Sequence, residues 1–128
     1  MEPQPPSHEL EETFCPYYTH AVELVGRRWS GAIVRALLLG CHRFNELAAA
    51  IPGISDRMLS ERLKELEAEG LVVRAVTPDT PVRVSYHLTP KGEALHNVIT
   101  AMAEWAAEWL APNDIGLSQD APATRAAR

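Results

Sequence analysis

Residues 43–70 read RFNELAAAIPGISDRMLSERLKELEAEG, and the punctuation of this stretch decides the fold. Phe44, Leu47, Ala48 and Ile51 fall at i, i+3, i+4 and i+7, the spacing of one buried helical face. Pro52-Gly53 stops that helix, because proline cannot continue it and glycine tolerates the turn. Ser55 is placed to cap a second helix, its hydroxyl accepting from an otherwise unpaired backbone N–H. Within that helix Leu59, Leu63 and Leu66, with Met58 beside them, form the inner stripe. Ser55, Arg57, Ser60, Glu61 and Lys64 are left on or near the outer surface, and Gly70 closes the helix. A short helix, a sharp turn and a second helix with an outward Ser/Arg/Lys face make the helix-turn-helix pattern. A helix about 10–12 Å across fits the major groove of DNA. There arginine can donate two hydrogen bonds to guanine, and short hydroxyls can reach bases or phosphates. An ordinary helical hairpin has a polar outer face too, so the flanking sequence has to separate the two readings.

Beyond Gly70 the period changes. Val82, Val84, Tyr86 and Leu88 alternate with Arg83, Ser85 and His87, the signature of a half-buried strand. Leu71–Val76 is apolar and β-branched enough to pair with it, and Thr77-Pro78-Asp79-Thr80-Pro81 between them is turn material. The result is a β-hairpin directly after the second helix, the order of a winged helix-turn-helix. A wing lies along the DNA backbone or minor groove, which makes Arg74 and Arg83 candidate phosphate contacts; the alternative is a pair of solvated strand charges.

Upstream, Cys15-Pro16 opens a helix with Tyr18, Ala21, Val22 and Val25 as its stripe, ended by Gly26. Arg27-Arg28-Trp29-Ser30 leads into a second helix whose buried positions are Ile33, Val34, Leu37 and Leu38, ended by Gly40. Downstream, Thr89-Pro90 is a helix start. One long helix then carries Leu95, Val98, Ile99, Met102, Trp105, Ala106 and Trp109 at helical spacing. That stripe is longer than a core this small can cover, so part of it is expected to meet a partner chain, where aromatic residues are favoured. Packing wholly on its own domain is the alternative. Residues 1–13, with Pro3, Pro5 and Pro6 among acids, read as a flexible arm, residues 14–111 as the winged domain with its flanking helices, and residues 112–128 as a disordered tail.

A chain of 128 residues is one domain's worth. The apolar runs are far short of a membrane span and no signal peptide is evident, so a cytoplasmic protein without membrane contact is expected. The net charge of −5 argues at first against nucleic acid, but it is unevenly distributed. Residues 1–25 hold five acids and no Lys or Arg, residues 26–92 hold ten bases and seven acids, and residues 93–128 hold two bases and five acids. The basic middle is the helix-turn-helix and wing. Cys15 and Cys41 exclude a disulfide framework, and neither they nor the five scattered histidines have metal-ligand spacing. No phosphate loop or nucleophile motif appears, so neither catalysis nor a cofactor or metal is expected.

The sequence resembles the HxlR-type (MarR-like) winged helix-turn-helix transcriptional regulators of bacteria. The resemblance covers about residues 14–110 and is carried by Cys15-Pro16, Gly26-Arg27-Arg28-Trp29, Arg43-Phe44-Asn45-Glu46-Leu47 and Ile51-Pro52-Gly53-Ile54-Ser55 through Met58-Leu59. It continues through Arg62-Leu63-Lys64-Glu65-Leu66, Glu69-Gly70-Leu71-Val72, Pro81 to Tyr86 and Leu88-Thr89-Pro90-Lys91-Gly92. It implies a mostly helical α+β fold and a homodimer built from the N- and C-terminal helices, here through Tyr18, Val22, Val98, Met102, Trp105 and Trp109. It further implies binding to an inverted-repeat operator in double-stranded DNA, with repression the expected outcome. Carried over by position, Ser55, Arg57, Ser60, Arg62 and Lys64 fall on the recognition helix and Arg43 begins the helix before it, although Arg62 lies near the inner stripe and could brace the helix instead. Arg28 stands where lysine is usual before Trp29, keeping a phosphate contact, while Ala75 stands where a second basic residue often follows Arg74, weakening the wing's grip. In several relatives the cysteine at the position of Cys15 senses electrophiles or oxidants. A thiol at a helix N-terminus meets the positive end of the helix dipole, which favours reactive thiolate. A small hydrophobe at the dimer interface is the competing role for Cys15, and a small-molecule effector the competing signal. Cys41 reads as structural or incidental. A winged-helix interaction module that does not bind DNA is the alternative function.

Overall fold

The computed structural model describes residues 15–110; the expected arm at 1–13 and tail at 112–128 lie outside the described residues. Four helices come first: α1 (Pro16–Gly26), α2 (Ser30–Leu38), α3 (Phe44–Ala50) and α4 (Asp56–Ala68). Strands β1 (Val72–Thr77) and β2 (Arg83–Leu88) follow, then the single turn α5 (Pro90–Glu93) and α6 (His96–Trp109). This is the expected α+β winged helix-turn-helix.

The break between α3 and α4 is made as the sequence implies. Gly53 sits at φ +84°, a left-handed conformation that costs glycine little. Ser55 Oγ accepts the Met58 amide at 3.1 Å, satisfying a donor that α4 cannot. At the start of α3, Glu46 Oε1 accepts the amides of His42 (2.9 Å) and Arg43 (3.1 Å). Those backbone donors hold the Glu46 carboxyl below the usual carboxylate range.

The core gathers where α2, α3 and α4 meet the base of the hairpin. Ile33, Leu47, Leu59, Leu66, Leu71 and Val72 are fully buried, and Ile99 joins them from α6. Burying each such side chain contributes roughly 1.5–3 kcal/mol, so the apolar stripe of α4 holds that helix in place while its opposite face stays free. The first helix contributes differently, with no buried residue at all.

The strands pair antiparallel from Val72↔Leu88 to Thr77↔Arg83. Each begins a residue later than the alternation suggests: Leu71 is buried ahead of β1, and Val82 lies exposed in the connection. The loop before α3 is stitched to the outer edge of β2, the Tyr86 amide donating to the His42 carbonyl at 2.7 Å and His42 Nδ1 donating to the Tyr86 carbonyl at 3.0 Å. The His42 and His87 rings stack there with centroids 4.7 Å apart.

The expected single C-terminal helix is two helices. Thr89 Oγ1 accepts the Gly92 amide at 3.1 Å and donates to the Gly70 carbonyl at 2.6 Å, capping α5 while tying it to the chain leaving α4. Gly92 is buried against Leu71, and a Cβ there would collide with the Leu71 carbonyl oxygen. The turn closes with the Leu95 amide on the Gly92 carbonyl, a tightened i to i+3 bond, and α6 starts afresh. Apolar periodicity runs straight through this break, which is why the sequence reads as continuous.

Candidate nucleic-acid interface

The outer face of α4 carries the polar set expected of a recognition helix. The Arg57 side chain is 88% exposed, with Nε 3.3 Å from Glu61 Oε1 one turn on. Such an exposed i,i+4 pair is weak, so Arg57 can exchange Glu61 for a DNA acceptor. Lys64, on the same face, is exposed and has no ion pair among the described residues. Ser60 is half-buried beside them, and Ser55 keeps its O–H free to donate while its oxygen caps the helix. Arg43 is exposed at the start of α3. Arg57, Ser60 and Lys64 share a face of α4 because the Leu59–Leu63–Leu66 stripe opposite them faces the core.

Arg62 corrects one expectation. Placed among the DNA-binding positions by resemblance, it is buried, and Nε donates to the Arg28 carbonyl at 3.0 Å. Its Nη1 reaches Glu65 Oε1 at 3.3 Å, so the guanidinium braces the helix from within instead of facing outward. Its place beside Leu59, Leu63 and Leu66 on the helical wheel is the physical reason. Arg28 itself is exposed, its guanidinium 4.9 Å from the Trp29 ring centroid. Trp29 adopts φ +76°, a rare conformation for a bulky residue, at the turn into α2.

Both wing arginines are exposed, but the register sends them to opposite faces of the hairpin. Arg74 pairs with Tyr86 and shares its face with Val72, Val84 and Leu88; Arg83 pairs with Thr77 on the face of Ser85 and His87. Arg83 also lies 3.8 Å from Asp79 in the connection.

The six residues assigned to a dimer contact are all exposed, from 45% at Val98 to 64% at Trp109. Tyr18 and Val22 of α1 face Val98 and Met102 of α6 across an apolar groove of about 410 Å³, with Val25 and Leu95 at its floor. Trp105 and Trp109 continue the α6 side of that stripe. Cys15 stands at the head of α1, half-buried, its Sγ accepting the Tyr18 amide at 3.4 Å. Cys41 packs against the core and is also a free thiol.

Sequence reading missed a set of polar ties between α1 and α4. His20 Nε2 lies 3.0 and 3.1 Å from the two Glu69 oxygens, and Arg27 meets Glu65 through two hydrogen bonds of 2.8 and 3.1 Å. The partners are separated by 49 and 38 residues, so no local pattern announces them. Arg27, with help from Arg62, holds the Glu65 carboxyl below the usual carboxylate range.

A core-anchored helix-turn-helix with an outward Arg/Ser/Lys face, followed by an antiparallel wing and flanked by extra helices, defines a winged helix-turn-helix DNA-binding transcriptional regulator. Comparison with known proteins agrees: the model of the HxlR-like helix-turn-helix family matches residues 24–114. The chain belongs to that family. It is 48% identical over 103 residues, 80% of this chain and 95% of the relative, to YvaP of Bacillus subtilis, an uncharacterized HTH-type transcriptional regulator. It is 48% identical over 105 residues, 82% of this chain and 94% of the relative, to the HTH-type transcriptional regulator YodB of the same organism. Among solved structures, the reduced form of YodB matches with TM-score 0.68 and 48% identity, covering 79% of this chain and 99% of that one. The oxidized form of the redox regulator HypR matches with TM-score 0.68 and 36% identity, covering 73% and 96%. An interaction module without DNA is not favoured by these relatives. No helix among the described residues is long and apolar enough to cross a membrane.

Proposed function

We propose that two copies of this chain join through α1 and α6, place their α4 helices in successive major grooves of an inverted-repeat operator, and repress transcription until Cys15 is oxidised or modified. The supporting observation is the division of the surface. Arg57, Ser60 and Lys64 stand on the outside of a helix anchored by its other face. The apolar groove of α1 and α6, with Trp105 and Trp109 beside it, is left open to solvent. Two α4 helices related by a two-fold axis would meet half-sites about one helical turn apart. Arg57, Ser60 and Lys64 would face the bases, Ser55, Arg43 and Arg28 the backbone, and one of the two wing arginines, Arg74 or Arg83, the phosphates beyond. This work would take place in the cytoplasm, where the DNA is.

The thiol signal is supported by the position of Cys15 at the first turn of a helix that lines the proposed dimer groove. YodB has been solved in diamide-treated and quinone-bound forms, and HypR in oxidized and reduced ones, so thiol oxidants and electrophiles are the effector class to test. A Cys15→Ser protein should bind operator as the wild type does but keep binding after diamide or a quinone. If that variant still releases DNA on oxidation, Cys15 is not the sensor and a ligand in the apolar groove becomes the signal to pursue.

A further inference from the structure

The helices of the proposed dimer meet α4 at the edge of the core, where Leu24 and Ile99 gather beside Leu66. A groove of about 580 Å³ separates α1 from α4, lined by His20, Glu23, Arg27, Glu65 and Glu69 with Leu24 and Leu66 at its base. Leu24 and Val25 of α1 pack against the core without being fully buried, and polar side chains that span this groove add further ties to α4. They do so at two points one helical turn apart on α4: Arg27 to Glu65, and His20 to Glu69. A lone exposed pair contributes little, but geometry and networking change that. Arg27 grips Glu65 through two parallel hydrogen bonds, and Glu65 also meets Arg62, whose Nε holds the Arg28 carbonyl next to Arg27.

The route to α6 converges on the same place. Lys91 Nζ donates to the Glu69 carbonyl at 2.7 Å, and Thr89 Oγ1 donates to the adjoining Gly70 carbonyl. Both residues belong to the turn that launches α6. The C-terminal end of α4 is therefore a junction where α1 and the α5–α6 unit are each tied to the recognition helix, Glu69 receiving one tie on its carboxylate and the other on its backbone.

We propose that Glu65 and Glu69 are positioning residues for operator recognition: by tying α4 to α1 and α6, they set the separation and orientation of the two recognition helices and hence the half-site spacing the dimer accepts. The proposal rests on the dimeric DNA-binding reading above. In B-DNA each added base pair advances a half-site by about 3.4 Å and turns it around the axis. A stiff junction therefore penalises altered spacing, and a loosened one penalises it less.

The test begins by selecting an operator from a randomised duplex library with the wild-type protein. Affinities are then measured for that inverted repeat, for versions with one base pair inserted or removed at its centre, and for a single half-site. His20→Ala, Glu69→Ala, Arg27→Ala and the His20→Ala/Arg27→Ala pair are compared with wild type. All four remove exposed or half-exposed groups, and dimerisation and melting temperature are followed alongside. The double variant is expected to keep its half-site affinity while its discrimination between correct and altered spacing falls at least about five-fold. Combining His20→Ala with Glu69→Ala should do no more than either alone, since the two form one tie. Unchanged discrimination in the double variant overturns the proposal, as does an equal loss of half-site affinity, which would mean that α4 itself had been disturbed. A wild-type protein that selects no inverted repeat would instead overturn the dimeric reading beneath it.

Discussion

Arg57 and Arg62 are five positions apart on one helix and have opposite fates. Arg57 is solvated and, among the described residues, paired only with Glu61; Arg62 is buried between the Arg28 carbonyl and Glu65. Arg57→Ala should leave the melting temperature unchanged and weaken operator binding by about 1–3 kcal/mol, the scale of one arginine contact to a guanine edge, as titrations by anisotropy would register. Arg62→Ala should do the reverse in thermal melts, destabilising the fold by about 1–3 kcal/mol through the acceptors it strands. A further single-residue consequence concerns Gly92. Because an added Cβ meets the Leu71 backbone, not a flexible side chain, Gly92→Ala should destabilise by at least about 1–3 kcal/mol in chemical denaturation. A denaturation curve indistinguishable from wild type would show that α5 can move off Leu71 freely.

At the scale of elements, what could be read from sequence is what repeats locally. The α3–turn–α4 unit is legible because Pro52-Gly53 and Ser55 punctuate an apolar pattern whose buried positions, Leu47, Ile51, Leu59, Leu63 and Leu66, all enter the core. The wing is legible from alternation. The division of the C-terminal helix is not, since its cause is the approach of Gly92 to Leu71 and of Thr89 to Gly70, contacts across the fold. The ties of Arg27 and His20 escape for the same reason. Arg62 lay at the border of the two kinds of information: its helical position hinted at burial, while the resemblance placed it with the DNA-facing set. The wing yields its own prediction. As Arg74 and Arg83 occupy opposite faces, their alanine variants should differ, only one lowering the slope of log affinity against log salt by about 1. Equal decreases in slope would mean that DNA wraps the tip of the hairpin.

For the whole molecule, a net charge of −5 coexists with DNA binding because the acids lie mostly outside residues 26–92, where bases outnumber acids ten to seven. The modest excess implies that affinity depends on placing a few cations well, and so on the attachment of α4 to its neighbours. That attachment carries a pH dependence. The Glu65 carboxyl is held low in the folded protein by its hydrogen bond from Arg27, so its contribution to stability is fully present above the ordinary carboxylate range and is lost as pH falls through the depressed folded value. The gap in melting temperature between wild type and Glu65→Gln should thus be open at neutral pH and close under strong acid. The central claim is that a dimer reads DNA through the outer face of α4. It is tested most directly by fluorescence anisotropy of the wild-type protein on DNA from upstream of its own gene, against a scrambled duplex and across a salt series, with stoichiometry fixed by titration. The account predicts two protomers per duplex, a clear preference for the upstream sequence, and affinity that falls steeply with salt. Equal affinity for the scrambled duplex, or saturation at one protomer, would contradict it.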